Sequence, residues 1–156
     1  MSACTFFGHR DCPEEVRGQV QRVVEDLILH HRVDSFYMGH QGRFDAIVRG
    51  VLRQLEQEYP QIRYGVVLVD VPKGWEDTSD TMLPEGIEAI HPRYAIDWRN
   101  NWMLKRSDFV VTYITYSWGG AAKFAQKARK DGKTVIDLPQ GKPYYLLDGR
   151  DSVSKN

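Results

Sequence analysis

The sequence lacks an excess of charge of one sign, a long apolar run and a framework of cysteines. Its 156 residues carry 21 basic and 21 acidic side chains, and this balance argues against nucleic-acid binding, which usually needs a basic excess. No apolar stretch is long enough to span a membrane, and no secretion signal is visible. Only Cys4 and Cys12 are present, too few for a disulfide scaffold. We therefore expect a cytoplasmic protein with reduced thiols and no membrane contact.

Length and composition indicate one domain. The chain length fits a single domain of ordinary size, and apolar residues make up 42% of the sequence, enough for a core. We predict one domain over residues 1–156, with 139–156 as a loosely packed tail. The polar, turn-rich stretch 72–92 interrupts the pattern. It is either a lid or binding loop or an ordinary surface loop.

Short apolar segments alternate with amphipathic helical patterns along the chain. The predicted strands are 4–8, 34–39, 62–71, 108–114 and 134–138, and the predicted helices are 13–31, 44–59, 93–106 and 119–130. Near-continuous apolar strands between such helices are typical of a parallel sheet covered on both faces. The prediction is a Rossmann-like, doubly wound α/β fold with five parallel strands in a three-layer α/β/α arrangement. Ligands of such folds bind beyond the carboxyl ends of the strands.

Three predicted strands end in polar turns that contain glycine. These turns are "GHRD" at 8–11, "GHQGRFD" at 39–45 and "TYSWGG" at 115–120. Glycine lets backbone approach a ligand closely, and the helix that follows offers free amides to an anion. Basic side chains, His9, Arg10, His40 and Arg43, lie in the same turns. The glycines either make tight turns only, or together form an anion or nucleotide site.

Two further features concern helices. Arg99 and Asn100 fall on the same face of the third helix as Ile96 and Met103. A polar pair within an apolar face is costly unless it is satisfied, so the pair either contacts a ligand or bonds to the protein itself. Asp45 is either a first-turn acid favoured by the helix dipole or an acceptor for a ribose hydroxyl or an exocyclic amine.

Taken together, five motifs resemble the SLOG superfamily, specifically its YpsA-like, uncharacterised bacterial branch. They are "CTFFGHRDCP", "FYMGHQGRFD", "SDTMLPEGIE", "PRYAIDWRNNWMLKRSDFVV" and "SWGGAAKFAQKA", which span roughly residues 3–138. The resemblance implies a Rossmann-like fold that binds a nucleotide or nucleotide-derived ligand, with a sensor or regulatory role. "GHQGRFD" is similar to the glycine-glycine-Asp turn of the DNA-processing protein A branch. This likeness implies that Gly39, Gly42 and Asp45 line the pocket.

Comparison with the lonely-guy phosphoribohydrolases concerns catalysis. "RNNWM" keeps the Arg and Met of their helix motif as Arg99 and Met103, and "GGAAKFAQ" keeps Gly119 and Gly120. Gln126 stands where that family has a catalytic Glu, and Gln cannot act as a carboxylate acid or base. A non-catalytic binder is therefore the first expectation. A phosphoribohydrolase-like enzyme acting on nucleoside 5′-monophosphates and a single-stranded-DNA binder are the alternatives.

The predicted site is confined to one rim of the sheet. Its ligand-binding residues are Gly8, His9, Arg10, Gly39, Gln41, Gly42, Arg43, Asp45, Arg99, Asn100, Trp118, Gly119 and Gly120. We assign no catalytic residue and no cofactor, and the absence of HExxH or paired-cysteine motifs gives no reason to expect a metal. The expected partner is a nucleotide-like small molecule, and a homodimer through the flanking helices is compatible with the fold class.

Overall fold

The computed structural model describes residues 2–71 and 79–138. Strands and helices alternate along the chain. In chain order the elements are β1 (Ser2–Gly8), α1 (Val16–His31), β2 (Val33–Met38), α2 (Arg43–Glu58), β3 (Arg63–Val67), β4 (Thr81–Met82), a 3₁₀ helix (Ile87–Ala89), α3 (Pro92–Lys105), β5 (Phe109–Tyr113), α4 (Gly120–Lys130) and β6 (Thr134–Asp137).

All strands of the sheet are parallel, in the order β4-β3-β2-β1-β5-β6. Strand β1 is therefore near the centre, with Thr5 opposite Tyr37 of β2 on one side and Val110 of β5 on the other. The chain builds outward from β1 to β4 and then crosses to the other side of β1 for β5 and β6. The topological switch point lies between β1 and β5, where such sheets form ligand crevices.

Helices cover both faces of the sheet. Phe6 packs into the larger core with α1 and α2, whereas its neighbour Phe7 packs with α3 and α4 in the second core. This alternation follows from the two-residue repeat of a strand. Each helix contributes an apolar stripe, such as Phe44, Val48 and Leu52 in α2, all fully buried. The doubly wound, Rossmann-like α/β architecture predicted from the sequence is confirmed.

The predicted strand count is wrong, because the sheet has six strands rather than five. The additional strand, β4, lies inside the predicted insertion and pairs with the edge of β3. The amide of Val66 donates to the carbonyl of Asp80 at 2.7 Å, and that of Leu68 donates to Met82 at 2.8 Å. Two residues among polar neighbours produce no detectable alternation, so periodicity misses this strand. The remainder of the insertion at 72–78 and the predicted tail at 139–156 lie outside the described residues.

The buried carboxylate of Asp80, next to β4, links this strand to α2 and β3. Asp80 accepts hydrogen bonds from Nε and Nη2 of Arg49, at 2.8 and 2.6 Å, and from the Tyr64 hydroxyl at 2.8 Å. Arg53 adds a contact of 3.3 Å. Although burial alone would raise its pKa, the hydrogen bonds from Arg49 and Tyr64 hold the pKa of Asp80 down to about 2. The ionised form of Asp80 therefore stabilises this edge of the sheet.

Two further findings concern the cysteines and membrane-spanning helices. Cys4 and Cys12 are free, buried thiols. In the parts of the chain that the structure describes, no helix combines the length and apolarity needed to cross a membrane.

Candidate functional site

A pocket of about 230 Å³ opens at the carboxyl ends of β1, β2 and β5. Its volume falls just below the usual range for ligand pockets of about 300–1,000 Å³, so it suits a small ligand. Four separate segments supply the lining: Phe6, Phe7, Gly8, His9, Arg10, Gly39, Gln41, Asp45, Ile96, Arg99, Asn100, Met103, Tyr116, Gly119, Gly120 and Ala121. The fold thus brings residues distant in sequence to the switch point.

Ten of the thirteen predicted site residues line this pocket, and three described residues, Gly42, Arg43 and Trp118, lie outside its lining. The exposed Arg43 guanidinium instead forms an ion pair with Glu14 at 2.9 Å. Trp118 packs against Tyr116 with the two rings tilted by 33° and their centroids 4.2 Å apart, and it remains 68% exposed. Both side chains therefore have roles at the surface of the protein rather than in the pocket wall.

The glycines of the site serve two different purposes. A Cβ at Gly8 would come within 2.3 Å of the Phe44 ring, and one at Gly42 would come within 2.6 Å of the Arg10 Cα. These close approaches are made by the protein itself, so the clearance expected for a ligand at Gly42 is occupied by the neighbouring loop. A Cβ at Gly39 would likewise come within 2.9 Å of the Arg99 guanidinium.

The glycine pair before α4 is different. Apart from the adjoining residues of the chain and the backbone of α4 itself, no described atom lies within 4 Å of a Cβ built at Gly119 or Gly120. Gly119 has a φ of +93°, which other residues rarely adopt, but Gly120 has neither a positive φ nor a close neighbour. Among the described residues, the amides of Gly120, Ala121 and Ala122 have no hydrogen-bond acceptor, as expected for the first turn of a helix. Open space and free amides therefore coincide at this helix N-terminus.

His9 packs against the loop that joins β5 to α4. Its ring stacks on Tyr116, with centroids 3.5 Å apart and planes 7° from parallel, and its Nε2 lies 3.3 Å from both the backbone nitrogen and the carbonyl oxygen of Tyr116. Burial lowers the pKa of His9, so the ring is neutral at physiological pH. His9 therefore positions the loop after β5 and does not supply the positive charge that its place in the sequence indicated.

The other side of the pocket is a continuous hydrogen-bonded network. Asp45 accepts from the Gln41 amide at 2.9 Å, and the Gln41 side-chain oxygen accepts from Nη2 of Arg99. The buried Arg99 also donates from Nε to Asn100 at 2.8 Å and from Nη1 to the Val67 carbonyl at 2.6 Å. Of the two alternatives for the Arg99–Asn100 pair, the internal network is present. Arg99 is therefore held by the protein through three of its five N–H groups and orients its neighbours.

Three polar groups of lining residues are available to a ligand. Oδ1 of Asp45, the side-chain amide nitrogen of Asn100 and the guanidinium of Arg10 have no hydrogen-bond partner within residues 2–71 and 79–138. Because Arg99 donates to the Asn100 oxygen, the Asn100 NH₂ group is the part left for a ligand. The site thus presents one acceptor, one neutral donor and one cation.

Burial raises the pKa of Asp45 to about 6, although the nearby charges of Arg99 and Arg10 partly oppose the rise. The folded-state pKa therefore lies above the ordinary value of 3.8. The stability contribution of this carboxyl group is complete below pH 4 and is lost as the pH rises through 6. Without ligand, the ionised carboxylate destabilises the fold at neutral pH.

We therefore expect Asp45→Asn to stabilise the ligand-free protein by about 1–2 kcal/mol at pH 7.5, less than the full shift implies because the side chain is partly exposed. Asn keeps an oxygen that accepts from the Gln41 amide. Urea denaturation of both proteins from pH 4 to 8 measures the difference, which should grow between pH 4 and 6 and then level off. A difference independent of pH would contradict this assignment.

Sequence reasoning missed the apolar part of the lining. The unpredicted lining residues are Phe6, Phe7, Ile96, Met103, Tyr116 and Ala121. A signal existed for two of them, since Ile96 and Met103 share a helix face with Arg99 and Asn100. Phe6 and Phe7 look like ordinary core residues in the sequence, because only the three-dimensional structure reveals that their strand ends under a pocket.

Two observations concern catalysis and metal binding. Gln126, which occupies the position of the lonely-guy catalytic Glu, is exposed on α4 and is absent from the described pocket lining. Among the residues described, no three His, Cys, Asp or Glu side chains are arranged to hold a metal ion.

No protein-family model matches the chain, and no curated protein matches it. Among solved structures, the fold is similar to that of DNA processing protein A (DprA) from Streptococcus pneumoniae, with a TM-score of 0.66 and 16% sequence identity. The match covers 99% of this chain and 55% of the DprA chain. This chain therefore spans about half the length of that protein and shares its Rossmann-like fold.

Proposed function

We propose that this chain binds a nucleotide or nucleotide-derived ligand at the carboxyl rim of its parallel sheet, in a sensor or regulatory role. The observation that carries the proposal is the pocket itself: ten predicted residues from four segments converge at the switch point. The fold shared with DprA supports placing the chain in the SLOG superfamily. The YpsA-like branch rests on the sequence motifs.

The anionic group of the ligand fits one end of the pocket. The free first-turn amides of α4 point to this end, where the open position at Gly120 leaves room for a phosphate. Helix N-termini favour anions through both their amides and their dipole. Arg10 adds a full positive charge whose guanidinium has no ion-pair partner among the described residues.

The base and sugar fit the rest of the pocket. Phe7, Ile96 and Met103 supply an apolar wall suited to a flat base. Asp45 and Asn100 supply hydrogen-bonding groups at its polar side. Small-molecule sites typically combine an apolar lining with a few such polar groups that fix orientation.

The two alternatives receive less support. Exposure of Gln126, outside the described lining, leaves the phosphoribohydrolase reaction without its usual carboxylate. Single-stranded-DNA binding, which the likeness to a DNA-processing protein brings into consideration, requires a basic groove. The chain is neutral overall, and its pocket is small.

Replacing Arg10 by alanine is expected to weaken nucleoside monophosphate binding at least 10-fold, because a charge-assisted contact of about 1.5–3 kcal/mol is lost. Stability should change by less than about 0.5 kcal/mol, since the side chain is exposed. Isothermal titration of the four nucleoside 5′-monophosphates measures the affinities.

Arg43→Ala is the matched control, because Arg43 is an exposed arginine of the neighbouring turn that pairs with Glu14. This variant should bind as the wild type does. Equal losses in the two variants would indicate a general electrostatic effect and contradict the site. Release of free base during incubation would instead favour an enzyme, and salt-sensitive binding of single-stranded DNA with no monophosphate binding would favour the third function.

A further inference from the structure

We infer that Asp45 and Asn100 together read the ribose hydroxyls of the ligand, which makes the site selective for ribonucleotides over forms that lack these hydroxyls. The inference rests on the proposed function and adds the chemical class of the sugar. It distinguishes between two roles that the sequence leaves open for Asp45, contact with a ribose hydroxyl and contact with an exocyclic amine.

Asp45 lies in the first turn of α2, which is in direct contact with the loop that carries Arg10. The backbone amide of Arg43 donates to the Arg10 carbonyl at 2.8 Å, and the Gly42 backbone abuts the Arg10 Cα. Arg10 is close enough to influence the Asp45 charge. In a nucleotide the sugar, and not the base, adjoins the phosphate. A carboxylate beside the phosphate-binding arginine therefore faces the sugar.

Asp45 and Asn100 together offer one hydrogen-bond acceptor and one donor. Asp45 offers its free Oδ1 as an acceptor, and Asn100 offers its NH₂ group as a donor. A ribose hydroxyl both donates and accepts, and so satisfies both groups. An exocyclic amine only donates, and it would leave the Asn100 NH₂ group facing another donor. Unpaired polar groups at the wall of a pocket reduce affinity.

Asp45 and Asn100 are both held in place by hydrogen bonds within the protein. Arg99 holds the Asn100 oxygen and the Gln41 side chain, while the Gln41 amide holds Oδ2 of Asp45. Arg99 thus fixes Asn100 directly, and Asp45 is fixed by the backbone amide of Gln41, whose side chain Arg99 also holds. Preorganised groups of this kind discriminate more sharply than mobile ones, because little ordering entropy is lost on binding.

The test compares nucleoside 5′-monophosphates with their 2′-deoxy, 3′-deoxy and 2′,3′-dideoxy counterparts by isothermal titration to the whole chain. For the wild type we expect the dideoxy form to bind at least 10-fold more weakly than the ribonucleotide, and the two monodeoxy forms to show which hydroxyl is responsible. In Asp45→Asn we expect the ratio to fall below about 3-fold, with the affinity for the dideoxy form nearly unchanged. Thermal melting confirms that the variant is folded.

Asp97→Asn is the matched control, since Asp97 is exposed, pairs with Lys123 at 2.6 Å and lies outside the described lining. It should keep the wild-type ratio. Equal wild-type binding of the ribo and dideoxy forms would overturn the inference and leave the proposed function standing. A change in base preference in Asp45→Asn, with the sugar ratio kept, would also overturn it. Failure to bind any monophosphate would overturn both.

Discussion

Replacing Arg99 by methionine is expected to lower the free energy of unfolding by about 2–4 kcal/mol. The side chain is almost completely buried, and its guanidinium donates to the Val67 carbonyl, the Gln41 side chain and the Asn100 side chain. Each buried acceptor that loses its donor costs about 1–3 kcal/mol, and the two amide side chains recover part of this by reorienting. Methionine has a similar reach, so the packing loss is small.

The measurement is a urea titration combined with thermal melting. For a domain of this size, the change corresponds to a fall in melting temperature of about 5–15 °C. Arg93→Met is the control, because Arg93 lies on the same helix and is exposed; it should change stability by less than about 0.5 kcal/mol. If Arg99→Met were as stable as the wild type, the polar network would not hold the pocket together, and the rigidity argued for Asn100 would be lost with it.

Asp80→Asn is also expected to lower the free energy of unfolding by about 2–4 kcal/mol near pH 7. Its carboxylate bonds to Arg49 and Tyr64 and contacts Arg53. The neutral amide removes the negative charge that Arg49 and Arg53 contact at this edge of the sheet, and losing the charged partner of a largely buried ion pair is costly. The loss should appear first as detachment of β4 from β3, because Asp80 adjoins that strand.

The pH dependence identifies the cause. The pKa of Asp80, about 2, lies below the ordinary value of 3.8, so its stabilisation is present above pH 4 and is lost as the pH falls toward 2. The difference in the free energy of unfolding between the wild type and Asp80→Asn, measured by urea titration, should narrow over that range. Asp131→Asn, which removes an exposed carboxylate only 3.8 Å from Lys127, should have little effect. A difference that stays constant down to pH 2 would exclude an ionic origin.

Periodicity predicts the regular elements well because each helix buries one apolar face and each central strand buries both of its faces. The stripe of Phe44, Val48 and Leu52 defines α2 in the sequence and in the structure. Strand β4 escapes prediction because its two residues are held mainly by backbone bonds to β3 and by the carboxylate of Asp80. These are contacts with residues far along the chain, and no local pattern encodes them.

The candidate site, too, could be predicted from the sequence only where local patterns determine it. The glycine turns and the polar pair on α3 point to the correct rim, because strand ends and helix faces are local properties. Arg10 and Arg43 look equivalent in the sequence, yet Glu14 pairs with Arg43 and leaves Arg10 facing the pocket. That difference depends on how two loops meet. The apolar wall was missed for a similar reason, since Phe7 serves the core and the pocket together.

The unequal roles of the glycines bear on how descendants of this protein would diverge. Gly8, Gly39 and Gly42 are confined by neighbouring protein atoms, and Gly119 is confined by its backbone angle. A lineage that lost the proposed ligand would still retain these four glycines, since a side chain at any of them strains the fold. Gly120 is under neither restraint, so drift at this single position, with the others kept, would indicate that the proposed anion contact had been lost.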